Sequence, residues 1–136
     1  RQELALALIQ NLTLSNQTHA EVLASPFIQH LPQFLGAGVH LFRRHKALSV
    51  LQHLSANTDN VERLTSSSIL SFLLHELRTE PNDTGCRMRA LSSLINLSAA
   101  EPENKHFTHP NMLRCLLQLR ECAELKQLVD MVLHNI

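Results

Sequence analysis

Three stretches of this chain carry the same pattern. From Leu4 the sequence runs LALALIQNLTLSNQ, from Lys46 KALSVLQHLSANTDN, and from Arg89 RALSSLINLSAAEPEN. Ala5, Ala47 and Ala90 fall in register, 42 and then 43 residues apart, as do Leu6, Leu48 and Leu91. Ile9, Leu51 and Leu94 keep the same offsets, and so do Leu12, Leu54 and Leu97. Within a copy these apolar positions recur every three residues, which lines them along one face of an α-helix, and the alanine before them lets a neighbouring helix approach closely. A single unit of this kind cannot bury its apolar face alone, so the copies must stack on one another.

The remainder of each unit repeats as well. Val22, Leu64 and Phe107 correspond, then Ile28, Leu70 and Leu113, then Leu31, Leu73 and Leu116. Between these apolar segments the punctuation is helical. Ser25-Pro26 and His109-Pro110 place proline where a first helical turn accepts it, and Ser66 to Ser68 offers hydroxyl caps at the equivalent point. Gln17-Thr18, Asp59-Asn60 and Glu101-Pro102 mark an earlier start, Asp83-Thr84 can cap a long helix near Cys86, and Gly36-Ala37-Gly38 ends a helix. The predicted unit is a long helix, a short helix and a medium helix, with long helices starting near residues 2, 43, 86 and 121. Residues 1–136 are read as one all-α domain. The chain begins at Arg1 and opens directly in a periodic helix, which is read as a piece of a larger protein.

A period near 42 residues with three helices per unit points to armadillo-type rather than two-helix HEAT repeats. The stretches LIQNLTLSNQ, SVLQHLSANTDN and SSLINLSAAEPENK resemble the long third helix of armadillo repeats and its exit, as in the catenins and the importin-α adaptors. The resemblance implies a right-handed α-solenoid whose third helices line a concave groove that grips an extended partner segment. The departures narrow that expectation. Asn11 and Asn96 match the groove asparagine of the importin-α type and His53 replaces it, while the accompanying tryptophan position holds Ala7, Ser49 and Ser92. The glycine common between the first two helices is also missing, so a classical nuclear-localisation-signal receptor is not expected.

The polar stripe behind the leucines supplies the candidate partner-binding residues: Lys46, Ser49 and His53 on one long helix, Arg89, Ser92 and Asn96 on the next, with Asn11 in the first copy. Arg44 and Arg87 also correspond, stacking basic residues at one level of successive helices. The expected function is a non-enzymatic scaffold or adaptor that binds a protein or peptide, including one with an acidic or phosphorylated segment, along this groove. Two alternatives are self-assembly through the stacking ends and weak nucleic-acid binding through the basic patch. Twelve basic and twelve acidic residues cancel, and no tyrosine or tryptophan is available for stacking on bases, so composition argues against nucleic acid.

Other chemistry has little support. There is no GxSxG, glycine-rich phosphate loop or HExxH, so no enzyme is expected. His106, His109 and Cys115 lack a second paired ligand motif, so neither a metal nor another cofactor is expected. Three cysteines without a CxxC spacing suit a reducing intracellular compartment, and no apolar run reaches the roughly 18 residues of a membrane span. Sequons at Asn11, Asn16, Asn82 and Asn96 are read as chance matches, two of them inside predicted long helices. Because Leu51 and Leu94 hold the same register position, Leu51→Ala and Leu94→Ala should each cost about 2–5 kcal/mol in chemical denaturation. A neutral result for either would break the register.

Overall fold

The computed structural model describes residues 2–35, 38–66, 68–79, 83–100, 107 and 109–136, and no strand occurs among them. The helices are α1 (Gln2–Leu12), α2 (His19–Ala24), α3 (Phe27–His30), α4 (Leu41–Ser55), α5 (Val61–Ser66), α6 (Ile69–Arg78), α7 (Thr84–Ala100), α8 (Pro110–Leu119) and α9 (Lys126–Asn135). Short 3-10 turns precede α2 and α5, and another carries α3 on to Phe34. The second unit, α4 to α6, has the predicted long, short and medium order. The short helix expected from Glu101-Pro102 lies outside the described residues, as do Gly36 and Ala37.

Helix starts follow the local chemistry. Asp83 Oδ2 accepts the Cys86 N–H at 2.9 Å, so Asp83 caps α7 as its sequence position suggested. Two caps are histidines: His40 Nδ1 accepts from Phe42 N–H at the start of α4, and His109 Nδ1 accepts from Asn111 N–H at the start of α8, where Pro110 occupies the first turn. The last helix begins at Lys126 rather than near residue 121. Between α8 and α9 the chain runs through tight turns, with Cys122 N–H bonded to Leu119 O and Leu125 N–H to Cys122 O.

The four long helices pack in series: α1 on α4, α4 on α7, α7 on α9. Behind them α6 packs on α7, and α8 on both α6 and α9. The repeated positions make the core. Leu6, Leu48 and Leu91 are fully buried, as are Leu51, Leu54, Leu94, Leu97, Leu31, Leu73 and Leu116, with Val22, Leu64 and Phe107 beside them. The first copy is the exception. Ala47 and Ala90 are sealed while Ala5 is exposed, because α1 packs on α4 with one flank and leaves Leu4 and Leu8 76% and 60% accessible on the other.

Neighbouring turns are tied together through His19, which is buried. Asn60 Nδ2 lies 2.9 Å from its Nδ1, and its Nε2 lies 2.7 Å from Thr13 O. The amide on the Nδ1 side and the carbonyl on the Nε2 side hold the ring between two chain turns. Asn60 also donates to Leu54 O, so one asparagine joins the exits of α1 and α4.

The corresponding arginines of α4 and α7 both turn toward α6. Arg44, only 5% exposed, donates from Nε to Glu76 Oε1 at 2.8 Å, and Glu76 is wholly buried. Arg87 donates from Nε to Leu77 O at 3.0 Å. Leu77 O is one of the last carbonyls of α6, which lack intrahelical partners and carry the negative end of the helix dipole, so a cation there supplies both a donor and the right charge. Glu76→Ala would leave the Arg44 guanidinium buried without its carboxylate and should cost about 3–5 kcal/mol, measured by chemical denaturation. A loss below about 1 kcal/mol would mean that this pair is dispensable to the core.

Candidate functional site

Three of the four long helices carry an Asn/His-Leu-Ser/Thr triplet near their ends, Asn11-Leu12-Thr13, His53-Leu54-Ser55 and Asn96-Leu97-Ser98, and α9 has Asn135 in the place of the first residue. The structure shows what the triplet does. Thr13 Oγ1 meets His53 Nδ1 at 3.0 Å, Asn96 Nδ2 donates to Ser55 Oγ at 3.1 Å, and Asn135 Nδ2 donates to Ser98 Oγ at 3.2 Å. The hydroxyl of one unit is thus joined to the amide or imidazole of the next. Each hydroxyl also donates three residues back along its own helix, Thr13 to Gln10 O, Ser55 to Gln52 O and Ser98 to Ile95 O. With its hydrogen committed, the oxygen can only accept. His53 therefore presents Nδ1–H where Asn96 and Asn135 present an amide N–H, which is why histidine can replace asparagine here.

A second set of rungs runs parallel to the first. Lys46 Nζ donates to Gln10 Oε1 at 3.2 Å, and one unit later Arg89 Nη1 donates to Gln52 Oε1 at 3.3 Å. Gln10 also donates to Ser49 Oγ at 3.0 Å. At the third step the register positions hold Ile95 and Leu128, two apolar residues packed against the core.

These contacts sort the candidate residues. Arg44 and Ser49 are buried, the first paired with Glu76 and the second with Gln10, so neither faces a partner. Arg87 is half-buried and spends Nε on α6. His53 and Asn96 are half-buried and bound to the preceding unit, so they are inter-unit ties before they are a groove surface. Asn11 is exposed at the open flank of α1. Lys46, Arg89 and Ser92 remain half-exposed, with the Ser92 hydroxyl donating to Met88 O.

Two surface residues were not singled out by the repeat pattern. Phe42 is 49% exposed and lies under the Lys46 ammonium, 4.7 Å from ring centroid to Nζ; Met88 is exposed one turn before Ser92. Neither belongs to the leucine register, and no local motif marks them. Comparison with known protein families, curated proteins and solved structures returned no match for this chain.

Partial burial, reinforced by the Arg89 charge, holds the His53 imidazole below its ordinary value of 6.5. The sign follows directly: the unfolded chain protonates His53 first, so the neutral rung contributes fully above about pH 6.5 and its contribution is lost as pH falls below that value. Melting temperature should drop between pH 7.5 and 5.5, and His53→Asn should make that drop smaller by restoring a donor that does not titrate. Identical pH profiles for the two chains would remove His53 as a titrating contributor.

Proposed function

We propose that this chain is a non-enzymatic protein-interaction module, a right-handed solenoid of divergent armadillo-type repeats belonging to a larger intracellular scaffold or adaptor. Its partner is an extended protein segment carrying acidic or phosphorylated side chains, held across α4 and α7. One observation carries the reading. After the rungs and the α6 contacts have taken their side chains, α4 still exposes Phe42 under the Lys46 ammonium, and α7 exposes Met88 and leaves Arg89 half-exposed. An ammonium has three donors and a guanidinium five, so the single bonds to Gln10 and Gln52 leave capacity for a carboxylate or phosphate. Phe42 supplies the kind of aromatic anchor that dominates binding energy at interfaces. Serial packing of the long helices supports the solenoid, and the unpaired cysteines Cys86, Cys115 and Cys122 support an intracellular setting. No helix among the described residues is long and apolar enough to cross a membrane.

A second reading, end-to-end stacking, rests on the open flank of α1. Leu8 and Leu12 are accessible, whereas the register positions Val50, Leu54 and Leu97 are sealed by neighbours. Concentration-dependent light scattering that disappears in Leu4→Ser/Leu8→Ser would favour it.

Fluorescence anisotropy with a labelled acidic peptide and its phosphorylated counterpart tests the groove. Lys46→Glu/Arg89→Glu should weaken binding at least about tenfold, or 1.4 kcal/mol, and Phe42→Ala should weaken it comparably. Stability should change by no more than about 0.5 kcal/mol for the surface change Phe42→Ala. Unchanged affinity in the charge-reversed chain would move the working surface elsewhere.

A further inference from the structure

The sequence leads to no expectation of a metal, since His106, His109 and Cys115 lack a second paired ligand motif, but folding assembles a different set. His45 on α4 and Asp83 and Cys86 at the start of α7 bring one ligand atom each to within 4.8 Å of one another. His45 Nε2 is 2.9 Å from Asp83 Oδ2, and that same oxygen holds the Cys86 N–H at 2.9 Å. We propose that His45, Asp83 and Cys86 form a three-ligand site for a divalent transition ion, zinc above all, with the fourth position open to solvent.

Four features of the cluster carry the assignment. Imidazole, carboxylate and thiolate are all zinc ligands, and three protein ligands with an open fourth position is a recognised zinc arrangement. A carboxylate and a thiolate together carry two negative charges, which cancel those of the ion, while the nearest buried charges, Arg44 and Glu76, already neutralise each other. Tetrahedral zinc holds its donors about 3.4 Å apart, from bond lengths of about 2.0–2.3 Å, so the His45–Asp83 contact has only to open by a few tenths of an ångström. Finally, the two outer ligands are each about one-third exposed, at 32% and 33%, while Cys86 is sealed beneath them. Solvent therefore reaches the outer side of the cluster and not the thiol side.

Gly85 holds the cluster together. A Cβ on Gly85 would lie 2.8 Å from His45 Cε1 and 3.0 Å from Asp83 Oδ2. Only glycine lets the imidazole lie this close to the first turn of α7. An alanine there would displace the ring, the end of a flexible side chain, while favouring the helix.

Binding is a proton exchange. The Cys86 S–H bond breaks and a sulfur–metal bond forms, the thiol proton leaves to solvent, and the hydrogen on His45 moves to Nδ1 so that Nε2 can coordinate.

The test uses the 136-residue chain, stripped with a chelator and titrated with zinc alone, then with cobalt as a spectroscopic substitute. One equivalent of zinc should raise the melting temperature, and one equivalent of cobalt should give a thiolate-to-metal charge-transfer band in the near ultraviolet. His45→Ala and Gly85→Ala should weaken binding at least tenfold, Cys86→Ser should abolish the band, and Cys115→Ser should keep it. Absence of the band at one equivalent overturns the proposal, as does binding that survives unchanged in both His45→Ala and Gly85→Ala, which would place the ion on other histidines. Because those two changes lie on a half-exposed side chain and a helix start, a folding failure of Cys86→Ser alone leaves the test decisive.

Discussion

A side-chain hydroxyl that donates to its own helix and accepts from the next one sets the spacing of the long helices. Thr13, Ser55 and Ser98 each occupy this place, and each is met by the donor that follows the same leucine face one unit later. The apolar contacts around Leu48, Leu51, Leu91 and Leu94 supply most of the burial, but leucine faces alone tolerate sliding by a turn. A hydrogen bond of about 3 Å does not, since a partly buried donor left without its acceptor costs about 1–3 kcal/mol. The rungs therefore convert a general tendency of the helices to pack into one register.

The same economy governs the basic residues. Arg44 and Arg87 stand near the starts of α4 and α7, where the helix dipole disfavours positive charge. Their destinations explain the placement: each reaches across to the end of α6, where carboxylate or carbonyl oxygen offers more than the local dipole takes away. The next cations along, Lys46 and Arg89, are held by glutamines of the preceding helix and keep donors in reserve. Arg44 and Arg87 thus hold α6, while Lys46 and Arg89 stay half-exposed.

The sequence disclosed the leucine register, the starts of α4 and α7 to within about two residues, and the Asp83 cap, because all of these depend on neighbours within one turn. It misled where a partner lies far along the chain. Arg44 read as a surface cation because Glu76 is 32 residues away on another helix. His53 and Asn96 read as a polar stripe because the motif gives their positions and not the hydroxyls they meet. His45 stands far from Asp83 and Cys86 with no paired-ligand spacing to announce the meeting, and Phe42 lies outside every repeated position. The last helix starts five residues later than the sequence indicates, because turns interrupt the apolar rhythm of residues 121–125.

The rungs also say where the chain's length is able to drift. Their members are separated by 40, 41 and 37 residues, yet the three hydrogen bonds are nearly alike. The differences are absorbed in the turns and short helices between rungs, where closing a loop a few residues longer or shorter costs little. Within a long helix the opposite holds. One residue inserted between Leu48 and Ser55 would rotate everything after it by about 100° and carry Ser55 away from Asn96. Insertions and deletions in descendants of this gene should therefore collect at the corners and leave the long helices untouched.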